Sequence, residues 1–195
     1  MAGETAMHAL RVLLGRDTPA TQTSRAERDL LAKCLPGRRR IVEIGVFEGF
    51  TTRVLAEASD AEAKVYGVDP FLCGRAGISW SLFIARHHNK RSLATGKLEL
   101  VRSFSTEVGD RIPRPVDFVF IDGDHSLEGI TADWDFWSRR VDPGGIIALH
   151  DVIAGDGVPP SKLFGSHAHF RETISRDPRF SVVDQVDSLA VLEAR

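Results

Sequence analysis

The stretch Val42–Thr52, VEIGVFEGFTT, decides the fold. A short apolar run ends at Gly45, and a helical pattern begins after Gly49. Glycine at these positions permits positive φ and lets a ligand approach the bare backbone, while the free N–H groups of a helix N-terminus suit a carboxylate or phosphate. Phe47 replaces the middle glycine of the GxGxxG dinucleotide fingerprint and would crowd a pyrophosphate. The carboxylate of Glu43 suits a positively charged ligand, although a tight turn without any ligand is the alternative.

Short apolar runs alternate with amphipathic segments from residue 40 onward, which predicts a doubly wound, Rossmann-like α/β sheet with helices on both faces. Strands are predicted at Ile41–Ile44, Val65–Val68, Leu98–Val101, Phe118–Ile121 and Ile146–Leu149, and helices at 50–59, 78–91, 104–111, 126–140 and 162–176. Two further runs, Phe180–Val183 and Leu189–Leu192, are close enough to form a hairpin. We therefore expect seven strands, mostly parallel, with an antiparallel C-terminal hairpin strand.

The N-terminal residues have a different pattern, so we divide the chain into N-terminal helices at 1–38 and a sheet domain at 39–195. Apolar residues recur at helical spacing over 4–14. Ser24 with Glu27 three residues on is typical of a capped helix start, here for a helix over 24–34. These two helices are candidates for a partial lid or for the contact of a homodimer.

Composition excludes several classes of protein. The 195 residues are 43% hydrophobic and 27% charged, with a formal net charge of −2, so we expect a globular domain without a nucleic-acid-binding surface. Cys34 and Cys73 lack the CxxC spacing of a zinc site or a disulfide framework. No run approaches the ~20 apolar residues that cross a bilayer, and no secretory signal is recognisable. We expect a cytoplasmic protein without a membrane partner.

The second predicted strand ends in an acid, Asp69, about two dozen residues after Gly45. A carboxylate at this point can accept hydrogen bonds from both hydroxyls of a ribose. The alternative is that Asp69 only caps a turn before Pro70. Together, the acid and the glycine turn favour a nucleoside ligand.

Acids and imidazoles follow two more strands: Asp122, Asp124 and His125 after the fourth, and His150 and Asp151 after the fifth. Neighbouring strand ends bring Asp122 and Asp151 within reach of one ion, and carboxylates with an imidazole suit Mg²⁺ or Mn²⁺. The alternative is capping of the next helix by Asp124 or Ser126.

The loop Val152–Gly165, with three glycines and two prolines, lies where ligands of open α/β sheets bind and is expected to cover the site. The alternative is that this loop is only a surface connection without a role in the site.

Four motifs in this order, VEIGVFEGFTT, VYGVDPF, FVFIDGDHSLEG and VDPGGIIALHDV, resemble a class I S-adenosylmethionine-dependent methyltransferase over roughly residues 40–195. They are most similar to small O-methyltransferases of the catechol type and of the sugar-modifying macrocin type. The motifs are specific for the cofactor and weakly informative about the acceptor.

The resemblance implies a role for each matching residue. The methionine part of the cofactor would be lined by Glu43, Gly45, Phe47, Gly49 and Thr51, the ribose held by Asp69, and the adenine flanked by Ser103 and Phe104, with Asp122 shared between cofactor and metal. The metal ligands would be Asp122, His150 and Asp151, although His150 departs from the oxygen ligands of the related enzymes. His125 stands where the catechol type has a proton-accepting lysine, and it forms the catalytic set with Asp122 and His150.

The expected function is therefore a divalent-metal-assisted O-methyltransferase. A sugar or glycan hydroxyl is the favoured acceptor, since IDGDHS resembles the sugar-modifying branch, and a phenol or catechol is the alternative. A nicotinamide-dependent oxidoreductase is a second class, against which the missing GxGxxG and the terminal hairpin count. A non-catalytic cofactor-binding module would not need the acid and imidazole cluster.

Overall fold

The computed structural model describes residues 2–74, 77–155 and 164–195. Within them a seven-stranded sheet has the order β3-β2-β1-β4-β5-β7-β6. The strands are β1 Arg40–Ile44, β2 Lys64–Asp69, β3 Leu98–Arg102, β4 Val116–Ile121, β5 Val141–Leu149, β6 Phe180–Val186 and β7 Leu189–Ala194. Strands β1 to β5 pair in parallel, and β7 pairs antiparallel with both β5 and β6. The predicted fold class is confirmed.

The helices follow the predicted alternation with three differences. They are α1 Ala2–Leu13, α2 Arg25–Lys33, α3 Phe50–Ala58, α4 Trp80–His88, α5 Lys90–Ala94, α6 Leu127–Trp137 and α7 Gly165–Glu172. The helix predicted at 78–91 is interrupted at Asn89, whose buried amide donates to the carbonyls of Gly49 and Ala85. Two short 3₁₀ turns replace the helix predicted at 104–111. The last helix begins at 165 and is followed by a 3₁₀ turn; residues 162 and 163 lie outside the described ranges.

Two apolar clusters cover the two faces of the sheet because successive strand residues point to opposite sides. One joins strand residues to α6 and α7: Val42, Ile44, Val119, Ile121, Trp134, Trp137 and Phe170. The other joins strand residues to α2 and α3: Ile41, Val65, Phe118, Phe120, Leu31, Leu35 and Leu55. This arrangement explains why the strands read as continuous apolar runs and not as alternating ones.

Helix α2 packs against the sheet and contributes to its apolar core. Leu31 and Leu35 are fully buried against sheet residues, and each such side chain contributes about 1.5–3 kcal/mol. The predicted capping box is present, with Ser24 and Glu27 exchanging hydrogen bonds. The contacts of Leu31 and Leu35 join the segment before residue 38 to the sheet. In the described part of the chain, no helix is long and apolar enough to span a bilayer.

Backbone hydrogen bonds continue past the carboxyl ends of the central strands and fix the residues that follow. Gly45 N donates to Val68 O at 2.9 Å, Asp122 N to Ile44 O at 2.8 Å, and His150 N to Ile121 O at 3.0 Å. The first residues after β1, β4 and β5 are thereby held in register with one another at one edge of the sheet.

Candidate active site

A cavity of about 930 Å³ runs along the carboxyl ends of the strands. It extends from the segment Ala20–Gln22, past the turns after β1 and β2, to Phe104–Glu107 after β3 and to Asp122–His125 after β4. Its volume lies near the upper end of the range for small-molecule sites, roughly 300–1,000 Å³. The cavity thus joins the predicted nucleoside turn to part of the predicted acid and imidazole cluster.

The two glycines of the first turn have different functions. Gly45 has φ +90°, and a Cβ there would overlap the backbone carbonyl of Asp122, so glycine alone fits. Gly49 has φ +77°, but a Cβ would lie 2.6 Å from Asn89 Nδ2 and 3.0 Å from Ala85 Cα. Gly45 lines the cavity and Gly49 does not. Gly49 therefore has the positive φ that the sequence predicted, and its missing Cβ also lets α4 pack closely.

Asp69 lines the cavity and also holds the glycine turn. Its Oδ2 accepts hydrogen bonds from the backbone N–H groups of Val46 at 3.1 Å and Phe47 at 3.0 Å, and its Oδ1 accepts from Phe71 at 2.6 Å. The turn-capping interpretation is thus confirmed, and the ribose contact stays a prediction. Because a carboxylate has about four acceptor positions, Asp69 retains one that these three bonds do not occupy. Phe47 is half-exposed beside it with φ +51°.

Glu43 lies behind the cavity wall and not in the lining. Its side chain is fully buried, accepts a hydrogen bond from Thr52 through Oε2, and has no partner for Oε1 among the described residues. Burial raises the pKa of Glu43 well above its ordinary value, and the nearby Asp122 and Asp69 raise it further. Burial thus favours the protonated form of the Glu43 carboxyl.

The N-terminal segment, for which the sequence suggested a partial lid or a dimer contact, contributes to the cavity wall. Ala20–Gln22 line it, and Thr23 Oγ1 lies 3.1 Å from Oγ1 of the predicted cofactor residue Thr51. Glu48 fastens this segment, since its Oε2 accepts from the N–H of Ala20 at 2.6 Å and lies 2.9 Å from His8 Nε2. Glu48 belongs to the opening motif, but its partners lie far away in sequence.

The residues after β3 line the cavity in part. Phe104 presents a half-exposed ring to it, whereas Ser103 is not in the lining and ties its N–H to Asp69 O at 3.2 Å. Ser105, Thr106 and Glu107 line it as well. The sequence interpretation missed these three because it placed them in a helix.

Asp133 on α6 is a buried acid that lines the same end of the cavity. It accepts a hydrogen bond from Ser105 Oγ through Oδ1. Burial raises its pKa to about 6, against which the Ser105 hydrogen bond acts. A signal was available in the sequence, because Ile130, Trp134 and Trp137 form the inward stripe of α6 and Asp133 falls within it.

Asp122, His125 and His150 come together at the ends of β4 and β5, with one ligand atom from each lying within 4.8 Å of the others. Asp122 Oδ1 is 2.9 Å from His150 Nδ1 and 3.6 Å from His125 Nε2. Nevertheless, neither Asp122 Oδ1 nor His150 Nδ1 makes a hydrogen bond of acceptable geometry within the described chain. Two buried polar atoms therefore converge on one point without satisfying each other.

Asp151 lies beside this cluster. Its carboxylate oxygens are 3.7 Å from His150 Nδ1 and 3.8 Å from His125 Nε2. Asp151 has φ +53°, a conformation that is costly for a residue other than glycine. Ser166 Oγ donates to its carbonyl at 2.6 Å, and Ser188 Oγ lies 3.4 Å from its N–H. These contacts from distant segments hold the strained residue toward the histidines.

His150 is almost entirely buried, and its other ring nitrogen faces an acid that the sequence interpretation did not assign to the site. Nε2 lies 3.3 Å from Glu27 Oε2 on α2. Burial opposes the charged imidazolium, but Asp122, Asp151 and Glu27 together raise the pKa of His150 to about 9. Glu27 also accepts two hydrogen bonds from Ser188. In the sequence, the capping box was a sufficient explanation for an acid at Glu27. Nothing there indicated that Glu27 also contacts His150.

The remaining polar residues of the third motif, FVFIDGDHSLEG, cap α6, as the alternative interpretation expected. Asp124 Oδ1 accepts from Ser126 N at 2.9 Å, and Ser126 Oγ accepts from Gly129 N at 3.0 Å. Phe164 stacks on the ring of His125 with centroids 5.4 Å apart. Residues 156–163 of the predicted covering loop lie outside the described ranges.

Residues 42–152 match the profile of a protein family described as "Methyltransferase domain". The match covers more than half of the 195 residues. The chain belongs to this methyltransferase family.

Solved structures similar to this methyltransferase share its fold at low sequence identity. Cofactor-bound Rv0187 from MTB has a TM-score of 0.73 at 20% identity, covering 98% of this chain and 90% of that one. The O-methyltransferase from Bacillus cereus in complex with SAH has a TM-score of 0.67 at 22% identity, with coverage of 98% and 91%. TomG, an O-methyltransferase from Streptomyces achromogenes in complex with SAM, has a TM-score of 0.67 at 16% identity, with coverage of 98% and 89%.

Curated relatives of the methyltransferase match a shorter part of the chain. Uncharacterized protein R132 of Acanthamoeba polyphaga mimivirus is 28% identical over 115 residues, which are 56% of this chain and 50% of the relative. Uncharacterized protein y4gI of Sinorhizobium fredii is 27% identical over 120 residues, 58% of this chain and 13% of the relative. The chain thus spans half or less of the curated relatives it matches.

Proposed function

We propose that the protein is an S-adenosylmethionine-dependent O-methyltransferase that acts on a hydroxyl of a small acceptor. The observation that carries the proposal is the continuity of one cavity, which joins the turn held by Asp69 to the face of Asp122 and His125. A nucleoside-binding module would need only the first end. The similar structures of O-methyltransferases with bound SAH and SAM support the choice of methyl donor.

The chain offers a group for each part of that donor. Thr51 and the N-terminus of α3, which has no side-chain cap, suit the methionine carboxylate. Asp69 suits the ribose, and the exposed ring of Phe104 suits the adenine face. When bound, the donor supplies an activated methyl group on its sulfonium. The enzyme's contribution is to hold the acceptor oxygen in line, and such orientation supplies roughly 7–11 kcal/mol.

His125 is the proposed proton acceptor for the substrate hydroxyl. Its side chain is 21% exposed, so that an acceptor can reach it from the cavity that it lines. Nε2 faces the carboxylates of Asp122 at 3.6 Å and Asp151 at 3.8 Å, which stabilise the imidazolium that forms. A histidine is suited to this proton transfer near neutral pH. His150 is too buried for direct contact with an acceptor and acts through Asp122.

A divalent cation fits the donor atoms beside His125. The unpartnered atoms Asp122 Oδ1 and His150 Nδ1 converge, and Asp151 supplies another carboxylate. We propose that these three residues would hold Mg²⁺ or Mn²⁺ and that Mn²⁺ binds better, because imidazole nitrogen suits transition metals more than Mg²⁺. A bound dication lowers the pKa of a coordinated hydroxyl.

A sugar or glycan hydroxyl is the proposed acceptor, with a phenol or catechol as the second candidate. A phenol such as tyrosine loses its proton near pH 10, whereas an alcohol requires far stronger assistance. The convergence of two imidazoles and two carboxylates on one point supports the acceptor that is harder to deprotonate.

Isothermal titration calorimetry and a transfer assay test the proposal. S-adenosylhomocysteine is expected to bind the purified protein and NAD is not, since Phe47 stands in the glycine turn. Labelled methyl from S-adenosylmethionine is then followed onto a panel of monosaccharides, glycans, phenols and catechols. Binding of NAD without S-adenosylhomocysteine would favour an oxidoreductase. Transfer to nitrogen or carbon compounds alone would contradict the proposed oxygen acceptor.

A further inference from the structure

We infer that Asp133 reads the exocyclic amine of the adenine ring, and so selects an adenosyl donor over its deaminated inosyl counterpart. The inference rests on the proposed function, because it concerns the base of the proposed nucleoside. It adds a specificity-determining residue on α6, a helix to which no part of the cofactor had been assigned.

Asp133 lies at the end of the cavity where a base would sit. Asp69 follows β2 in the middle of the cavity edge, and Phe104–Glu107 follow the outer strand β3. The acid and imidazole cluster lies on the opposite side, after β4 and β5. A nucleoside with its ribose at Asp69 and its reactive end toward that cluster therefore directs its base toward Phe104 and Asp133.

The carboxylate of Asp133 has an acceptor position left for a ligand. Its Oδ1 accepts from Ser105, whereas no group in the described ranges donates to Oδ2. Gly123 keeps the approach to Oδ2 open, since a Cβ at that position would lie 3.5 Å from this atom. Asp133 as a whole residue is only 4% exposed, but Oδ2 is not among the fully buried polar atoms without a partner, so a donor in the cavity that Asp133 lines can reach it. An amine from the ligand would satisfy it.

The chemistry of the two bases makes this contact selective. Adenine presents an N–H donor at its exocyclic position, whereas hypoxanthine presents a carbonyl oxygen that a carboxylate repels. A site that is built to accept a hydrogen bond rejects analogues that lack the donor. Burial raises the pKa of Asp133 to about 6, so the ionised carboxylate dominates at pH 8.

Calorimetric titration at pH 8 with S-adenosylhomocysteine and S-inosylhomocysteine tests the inference. The wild-type protein is expected to prefer the adenosyl compound by roughly 10- to 100-fold, the range of a hydrogen bond to a charged group. In Asp133→Asn the preference should fall to within a few-fold of unity, because the amide can donate to the hypoxanthine carbonyl. Asp135→Asn, an exposed acid on the same helix, should retain the wild-type ratio.

The outcomes separate the two proposals. Equal affinity of the wild type for both compounds overturns the role of Asp133 without any variant, even if Asp133→Asn fails to fold. An unchanged preference in a folded Asp133→Asn protein overturns it as well. If neither compound binds the wild type, the proposed function itself fails, whereas binding of S-adenosylhomocysteine with no base preference leaves that function intact.

Discussion

The two ends of the cavity satisfy their polar groups in different ways. At the nucleoside end, Asp69 accepts three backbone hydrogen bonds and holds a turn whose glycine is fixed by contact with the neighbouring strand end. At the reactive end, Asp122 Oδ1 and His150 Nδ1 face each other 2.9 Å apart without hydrogen-bond geometry. One end is held by hydrogen bonds within the protein, whereas the other leaves two buried polar atoms without a hydrogen bond among the described residues.

This difference indicates where structure and function can be changed separately. A substitution at the nucleoside end disrupts backbone geometry and therefore stability as well as binding. At the reactive end, His150 is buried among acids, whereas His125 is partly exposed. A substitution of His125 should therefore lower activity while the fold persists. Four predictions test this contrast.

The largest effect is expected for Gly45→Ala. The variant combines a positive φ with overlap between its Cβ and the Asp122 carbonyl, so it should lose more than about 3 kcal/mol of stability. Binding of S-adenosylhomocysteine should be lost with it. Thermal unfolding and calorimetry measure both. The matched control is Gly96→Ala, which has φ +74° and nothing within 4 Å of the added Cβ.

The control variant should lose only about 1 kcal/mol, since it carries the conformational cost without the overlap. Similar losses of stability in the two variants would mean that the positive φ alone causes the loss. The close approach of Gly45 to the Asp122 carbonyl would then contribute nothing to it.

The contrast also explains how far the sequence predicts the structure. Apolar runs, glycines and the acids directly after strands are local features, and sheet register then brings Gly45, Asp69, Asp122 and His150 to one edge. The mostly parallel sheet and the terminal hairpin were therefore predictable. The close packing of Gly49 against α4 was not, because its neighbours Ala85 and Asn89 are distant in the sequence.

Residues contributed by helices were harder to predict. Glu27 reaches His150 across 123 positions of sequence, and its place in the capping box gave a sufficient explanation by itself. Asp133 was detectable as an acid within an apolar stripe, but the partner that shows its orientation is Ser105, which the sequence interpretation had placed inside a helix. Contacts between a helix and a loop depend on helix rotation and loop path, neither of which periodicity determines.

The second effect concerns the reactive end. His125→Ala removes the proposed proton acceptor and should lower kcat by about 10²- to 10⁴-fold, the range of general base catalysis. Affinity for S-adenosylhomocysteine and the melting temperature should stay near wild-type values, because the side chain is partly exposed. His167→Asn is the control, since His167 also stacks on Phe164 but is not part of the cluster. Near-full turnover in His125→Ala would show that His125 is not the proton acceptor.

A smaller effect is expected from metal ions. Mn²⁺ should raise the melting temperature more than equimolar Mg²⁺, and EDTA should reverse the shift, because a ligand that binds only the folded state stabilises it. Asp151→Asn should weaken the Mn²⁺ effect. Asp124→Asn should not, since that carboxylate from the same region only caps a turn. Equal shifts with Mg²⁺ and Mn²⁺ would argue against ligation by His150.

The smallest effect is expected where the N-terminal segment closes the nucleoside end. The hydrogen bond to Glu48 raises the pKa of His8 above 6.5, although burial opposes this, and Asp17 adds to the rise. The stabilisation is therefore complete below about pH 6.5, which is the pKa of histidine in the unfolded chain. It is lost as the pH rises through the higher pKa that His8 has in the folded protein. An ion pair this close to solvent contributes less than about 1 kcal/mol. His8→Ala should thus lower the melting temperature by no more than about 4 °C at pH 6, and by less at pH 9. A loss that is equal at both pH values would mean that His8 stabilises the segment by packing and not by charge.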